Sequence, residues 1–74
     1  MKKYNINDIC KVTLTNFGED LLIQKNPVAY KYNYNTISRI LQIELWELMN
    51  IFGKSFYFGY PNIFENNEIE MIRD

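Results

Sequence analysis

A chain of 74 residues with a net charge of −1, one cysteine and no histidine reads as a single domain, residues 1–74, and several protein classes are excluded at once. A disulfide-stapled or zinc-stapled fold lacks its ligands, since Cys10 has no partner in the chain. A domain this short buries only about 60% of the surface its unfolded chain exposes, so assembly into a homo-oligomer is the expected remedy. Six Tyr, five Phe and one Trp point the same way, because aromatic side chains are enriched at interfaces. The alternative is one aromatic-rich monomeric core with wet tyrosine hydroxyls.

The first regular element is expected where Cys10, Val12 and Leu14 alternate with Lys11, Thr13 and Thr15, the period of a strand with one buried face. Asn16 followed three residues later by Glu19 predicts a capped helix over residues 17–25, with Phe17, Leu21 and Leu22 as its apolar face. Pro27 ends that helix by biasing Asn26 away from helical angles. Over residues 28–35, Tyr30, Tyr32 and Tyr34 alternate with Lys31, Asn33 and Asn35. This stripe reads as an edge strand or an exposed arm.

Leu41 and Ile43 then alternate with Gln42 and Glu44, whereas Leu45, Leu48, Met49 and Phe52 follow helical spacing. A single helix would bury Glu44 in its apolar stripe, so a strand over 37–43 followed by a helix over 44–52 is preferred. Gly53 supplies the stop. Phe56, Phe58 and Tyr60 suggest another strand, Asn66-Asn67 a turn, and Ile69 with Met71 a final strand. Four short strands with two short helices predict an α+β domain, with a small, twisted, partly closed β-barrel of the Src-homology-3-like kind as first choice.

The run Lys11-Val12-Thr13-Leu14-Thr15-Asn16-Phe17-Gly18, the block 45–53 and the ending Phe64-Glu65-Asn66-Asn67-Glu68-Ile69 together resemble a group of small proteins encoded by bacteriophages and prophages. The resemblance covers most of the chain, with residues 28–35 standing as a variable insert. It implies a setting, an accessory protein that acts by binding and counteracts a bacterial defence system, and it carries over no site residues.

The residues themselves point to binding rather than catalysis. Without histidine, acid–base work falls to a perturbed carboxylate, a lysine or Cys10. Glu44 and Glu47 are more simply a solvated helix face, and Cys10 lies on the inward phase of its strand without a base beside it. No cofactor or metal is expected, since the acidic residues follow no calcium-loop spacing.

Tyr30, Lys31, Tyr32, Tyr34 and Arg39 form the best candidate ligand cluster, rings with two cations that suit a nucleotide-like small molecule. The net charge argues against long nucleic acid. Trp46, Met49 and Phe52 are the candidate interface anchors. A bacterial defence protein is the other expected partner, and the competing reading is a structural or regulatory module without a small ligand.

Charge is unevenly placed: residues 1–43 carry six basic against three acidic side chains, residues 44–74 two against six. Such a gradient suits self-contact, or simply solvates opposite edges. No apolar run approaches the ~20 residues of a membrane span, Met1-Lys2-Lys3 precedes no apolar signal segment, and a lone inward cysteine suits a reducing cytoplasm.

Overall fold

The computed structural model describes residues 3–56 and 61–72. In chain order they form β1 (Ile9–Thr13), α1 (Asn16–Lys25), α2 (Pro27–Asn33), β2 (Tyr34–Asn35), β3 (Ile40–Glu44), α3 (Leu45–Phe52), a 3-10 turn at Gly53–Ser55, a second at Glu65–Asn67, and β4 (Glu70–Met71). The α+β class is as expected. The strands make one antiparallel sheet in the order β2-β3-β1-β4. Among the described residues that sheet is open, with β2 and β4 as its edges, so the barrel is replaced by a sheet carrying helices on one face.

Register sorts the faces. Cys10 sits opposite Ile43 and Val12 opposite Leu41, and all four are buried. Their neighbours Lys11, Thr13 and Gln42 take the alternate phase and look outward. The inward row meets Leu22 of α1, Ala29 of α2 and Leu48, Ile51 and Phe52 of α3 in one core. Ile63 and Phe64 complete it: Phe64 bridges to Leu14 and packs edge to face on Phe52, with centroids 5.4 Å apart.

Among the described residues three α-helices are present where two were expected. The additional one, α2, occupies residues 27–33, where the tyrosine alternation suggested an edge strand or arm. Asn26 closes α1 and opens α2 at once: its N–H donates to Leu22 O at 2.8 Å, and its side chain accepts from Ala29 N at 3.0 Å. Pro27 then stands at the first helical turn, where its missing N–H is not needed. Residues i and i+4 share a helix face, so Tyr30 and Tyr34 come together and Tyr32 points away.

At α1 the cap is Thr15 rather than Asn16: the Thr15 hydroxyl accepts from Gly18 N at 3.1 Å. The same residue ties down the returning chain, because its hydroxyl donates toward Asn62 O and its N–H donates to Ile63 O at 3.0 Å. Gly18 has no side chain where one would collide with the Ile63 carbonyl. The expected Asn66-Asn67 turn is present, both residues having positive φ, with Glu68 N donating to Glu65 O at 3.2 Å. The strand expected at residues 56–60 falls, apart from Phe56, outside the described residues.

Candidate functional site

The β2–β3 hairpin is where the predicted ligand cluster is best tested. Asn35 organises its turn: the side-chain oxygen accepts from Ile37 N at 2.8 Å and Ser38 N at 3.0 Å, and the carbonyl accepts from Arg39 N at 2.7 Å. Arg39 leaves the turn with φ of 63°, a left-handed conformation that costs a side-chain-bearing residue about 1 kcal/mol or more. Its guanidinium supplies compensating contacts. One nitrogen donates to Asn16 Oδ1 at 2.5 Å and lies 3.9 Å from Glu19 Oε1, while its enclosed Nε has no hydrogen-bond partner among the described residues.

Glu19 joins this group to β2. Its other carboxylate oxygen accepts from the Tyr34 hydroxyl at 2.7 Å, and the Tyr34 ring stacks on Tyr30 with centroids 5.5 Å apart. Burial, followed by the hydrogen bond to Glu19 and the Glu19 charge, pushes the Tyr34 phenol up to about 12 against the lowering influence of Arg39. Tyr34, Glu19, Arg39 and Asn16 thus clamp the start of α1 to the hairpin.

The five residues expected to bind a ligand therefore divide. Tyr30, Tyr34 and Arg39 are brought together, but their contacts are to Glu19, Asn16 and each other. Lys31 and Tyr32 lie on the far side of α2, with the Lys31 ammonium 5.4 Å from the Tyr32 ring centroid. The adjoining shallow groove, about 400 Å³, is lined by Tyr32, Asn33, Ser38 and Gln42 among others, and among the described residues no lysine or arginine is part of its wall. A phosphate-bearing ligand would find hydrogen bonds there and, among the described residues, no cation.

What the clamp does present is Ile37. This side chain is 93% exposed at the tip of a turn whose backbone is fixed by Asn35 and Arg39. Sequence reasoning passed over it because it was counted into a strand. The cue was available in Asn35-Thr36-Ile37-Ser38, where an Asn two and three positions ahead of the apolar residue and its neighbour favours a side-chain-closed turn.

The expected interface anchors also divide. Trp46 and Met49 share the outward face of α3, at 46% and 42% exposure, whereas Phe52 is fully enclosed. Phe52 is a core residue here because helical spacing puts it with Leu48 and Ile51 on the inward face. Cys10 is buried, its thiol donating to Ile43 O at 3.4 Å, and burial pushes that thiol up.

Compared with protein-family models, curated proteins and solved structures, the chain matches none. Among the described residues no helix is long and apolar enough to cross a membrane, and no group of three or more Cys, Asp or Glu side chains is placed to hold a metal ion.

Proposed function

We propose that the chain is a non-enzymatic binding module that acts in the cytoplasm of an infected bacterium and counteracts a defence system by occluding a defence protein. The phage setting rests on the resemblance in residues 11–18, 45–53 and 64–69. The binding mode rests on one observation: an almost wholly exposed isoleucine on a turn held by four side-chain and main-chain bonds. An apolar anchor fixed in advance loses little conformational freedom on docking, and that increases affinity without enlarging the contact. Ile37 enters an apolar pocket of the partner, Thr36 and Ser38 meet its polar rim, and the body of the domain blocks access behind them.

Occlusion is favoured over sequestration of a nucleotide-like signal because the two cations that would hold phosphate do not converge on one pocket. Arg39 lies against Asn16 and Glu19, and Lys31 stands over Tyr32 on the far side of α2.

The test is a plating assay in bacteria carrying single defence systems, each challenged by a phage which that system restricts. Wild-type protein is expected to restore plaques against at least one system. Ile37→Asp is expected to fail while keeping its circular dichroism and melting temperature. Equal activity of Ile37→Asp, or a nucleotide-sized adduct retained in native mass spectrometry, would overturn the reading.

A further inference from the structure

Two short helices leave aromatic faces uncovered, and each carries one charged residue. On α2, Val28, Lys31 and Tyr32 stand at i, i+3 and i+4, with Val28 64% and Tyr32 73% exposed and Lys31 exposed beside them. The opposite face is the one that packs, through buried Ala29 and the Tyr30–Tyr34 stack. On α3, Trp46 and Met49 stand at i and i+3 on the outward side, with half-buried Glu47 at the border of that face beside Trp46. The only charge within α2 is Lys31 and the only one within α3 is Glu47, so the two faces are apolar surfaces of opposite sign.

We propose that copies of this chain associate by laying the outer face of α2 from one against the outer face of α3 from another. Three observations name a second copy as the occupant. Both halves of a charge-complementary pair are on the same chain. Their charges continue the imbalance of the whole sequence, basic through residue 43 and acidic beyond it. Both aromatic rings are also held ready: the Trp46 indole N–H donates to Glu44 Oε2 at 3.1 Å, and Tyr32 lies beneath Lys31. In the contact Lys31 reaches Glu47 and Glu44, and Val28 and Tyr32 cover Trp46 and Met49.

Trp and Tyr side chains of this kind dominate binding energy at the centre of interfaces, where surrounding contacts exclude water. The α3 half of the contact lies away from Ile37, since α3 starts from the Glu44 end of β3 and the Ile37 turn lies beyond its Ile40 end, whereas the α2 half borders that turn through the groove Tyr32 shares with Ser38. The contact uses other residues than the Ile37 anchor proposed above. Repeated without closure the contact builds a chain of subunits, and made twice about a two-fold axis it builds a dimer.

Charge exchange on the full-length protein is the test, read by native mass spectrometry and sedimentation across a concentration series. Wild type is expected to associate, with Trp46 fluorescence shifting to the blue as concentration rises. Lys31→Glu and Glu47→Lys are each expected to weaken association by about tenfold or more, as for close interfacial charge pairs. An equimolar mixture of the two variants should recover it, as should a chain carrying both changes. A monomer at the highest soluble concentration, association indifferent to both single changes, or a mixture that stays dissociated would each overturn the proposal. Lys31 is exposed and Glu47 half-buried, so circular dichroism and the melting temperature of each variant are checked against wild type, and Trp46→Phe, which retains a ring without the indole donor, gives a second measure of the α3 face.

Discussion

The two ends of the central sheet are held by different physics. At the α3 end, Glu44 makes no side-chain cap, and the first helical N–H groups are satisfied by main-chain carbonyls of the turn before β1: Leu45 N donates to Asp8 O and Trp46 N to Ile6 O, both at 3.0 Å. Apolar burial of Leu48, Ile51 and Phe52 does the rest. At the hairpin end β2 contributes only two paired residues, and order depends on the polar clamp of Tyr34, Glu19, Arg39 and Asn16. An end held by burial is insensitive to charge, whereas an end held by a carboxylate between a phenol and a guanidinium responds to pH and to single polar changes. The turn proposed to dock a partner lies at the second kind of end, where local opening costs less than global unfolding.

The largest effect is expected from removing what the two ends share. Phe52 touches Phe64, which bridges to Leu14 beside the hairpin, so Phe52→Ala should destabilise both ends together by about 3–5 kcal/mol. Chemical denaturation checks the magnitude. Hydrogen exchange checks the sharing, because amides of α3 and of the hairpin should lose protection in parallel. Protection lost at the α3 end alone would mean that the ends fold independently.

A smaller loss is expected at Gly18. Alanine is the better helix former by nearly 1 kcal/mol, yet here its methyl would meet the Ile63 carbonyl. Overpacking against main chain costs roughly 1–3 kcal/mol, so Gly18→Ala should lower the thermal midpoint where a free helix would gain. Exchange should quicken first at Thr15, whose N–H is bonded to Ile63 O.

Tyr34→Phe isolates the clamp. The ring and its stack on Tyr30 remain, but Glu19 loses a charge-assisted hydrogen bond, a change of about 1.5–3 kcal/mol. The phenol titrates near 10 when unfolded and near 12 in the fold. Because the folded value is raised, the protonated form contributes its full stability below about pH 10. That contribution is lost as pH rises through the folded value. Wild type should therefore lose stability between these two values faster than Tyr34→Phe, and equal slopes for the two proteins would show that the clamp does not couple to folding.

The same division between burial and polar clamping explains what could be read from the sequence. Period-2 runs at Cys10, Val12 and at Leu41, Ile43 fixed β1 and β3 to within a few residues, because burial on one face imposes that pattern directly. The α3 boundary followed from the cost of burying Glu44. The tyrosine segment misled because i, i+2, i+4 spacing is shared by a strand face and, at its outer two members, by a helix face. Asn26-Pro27 held the deciding signal, a cap followed by a first-turn proline, and its role in stopping α1 concealed its role in starting α2. The clamp was not legible, since Glu19, Tyr34 and Arg39 meet only after β2 folds back along β3. No local rule relates them.

Ile37→Asp should have the smallest effect on the fold and the largest consequence for the proposed role. At 93% exposure the isoleucine has almost no apolar burial to lose, so stability should stay within about 0.5 kcal/mol of wild type. The turn should persist as well, because its bonds come from Asn35 and Arg39 and use only the main chain of Ile37. The substitution therefore separates presentation from folding, which no change in the clamp itself can do: Tyr34→Phe would loosen the turn and weaken docking indirectly. If Ile37→Asp abolishes relief of defence at unchanged stability while Tyr34→Phe reduces it only in proportion to hairpin exchange, the clamp acts through the position of Ile37. If both variants retain full activity, binding belongs to another surface, and the exposed turn is only a well-made connection between two strands.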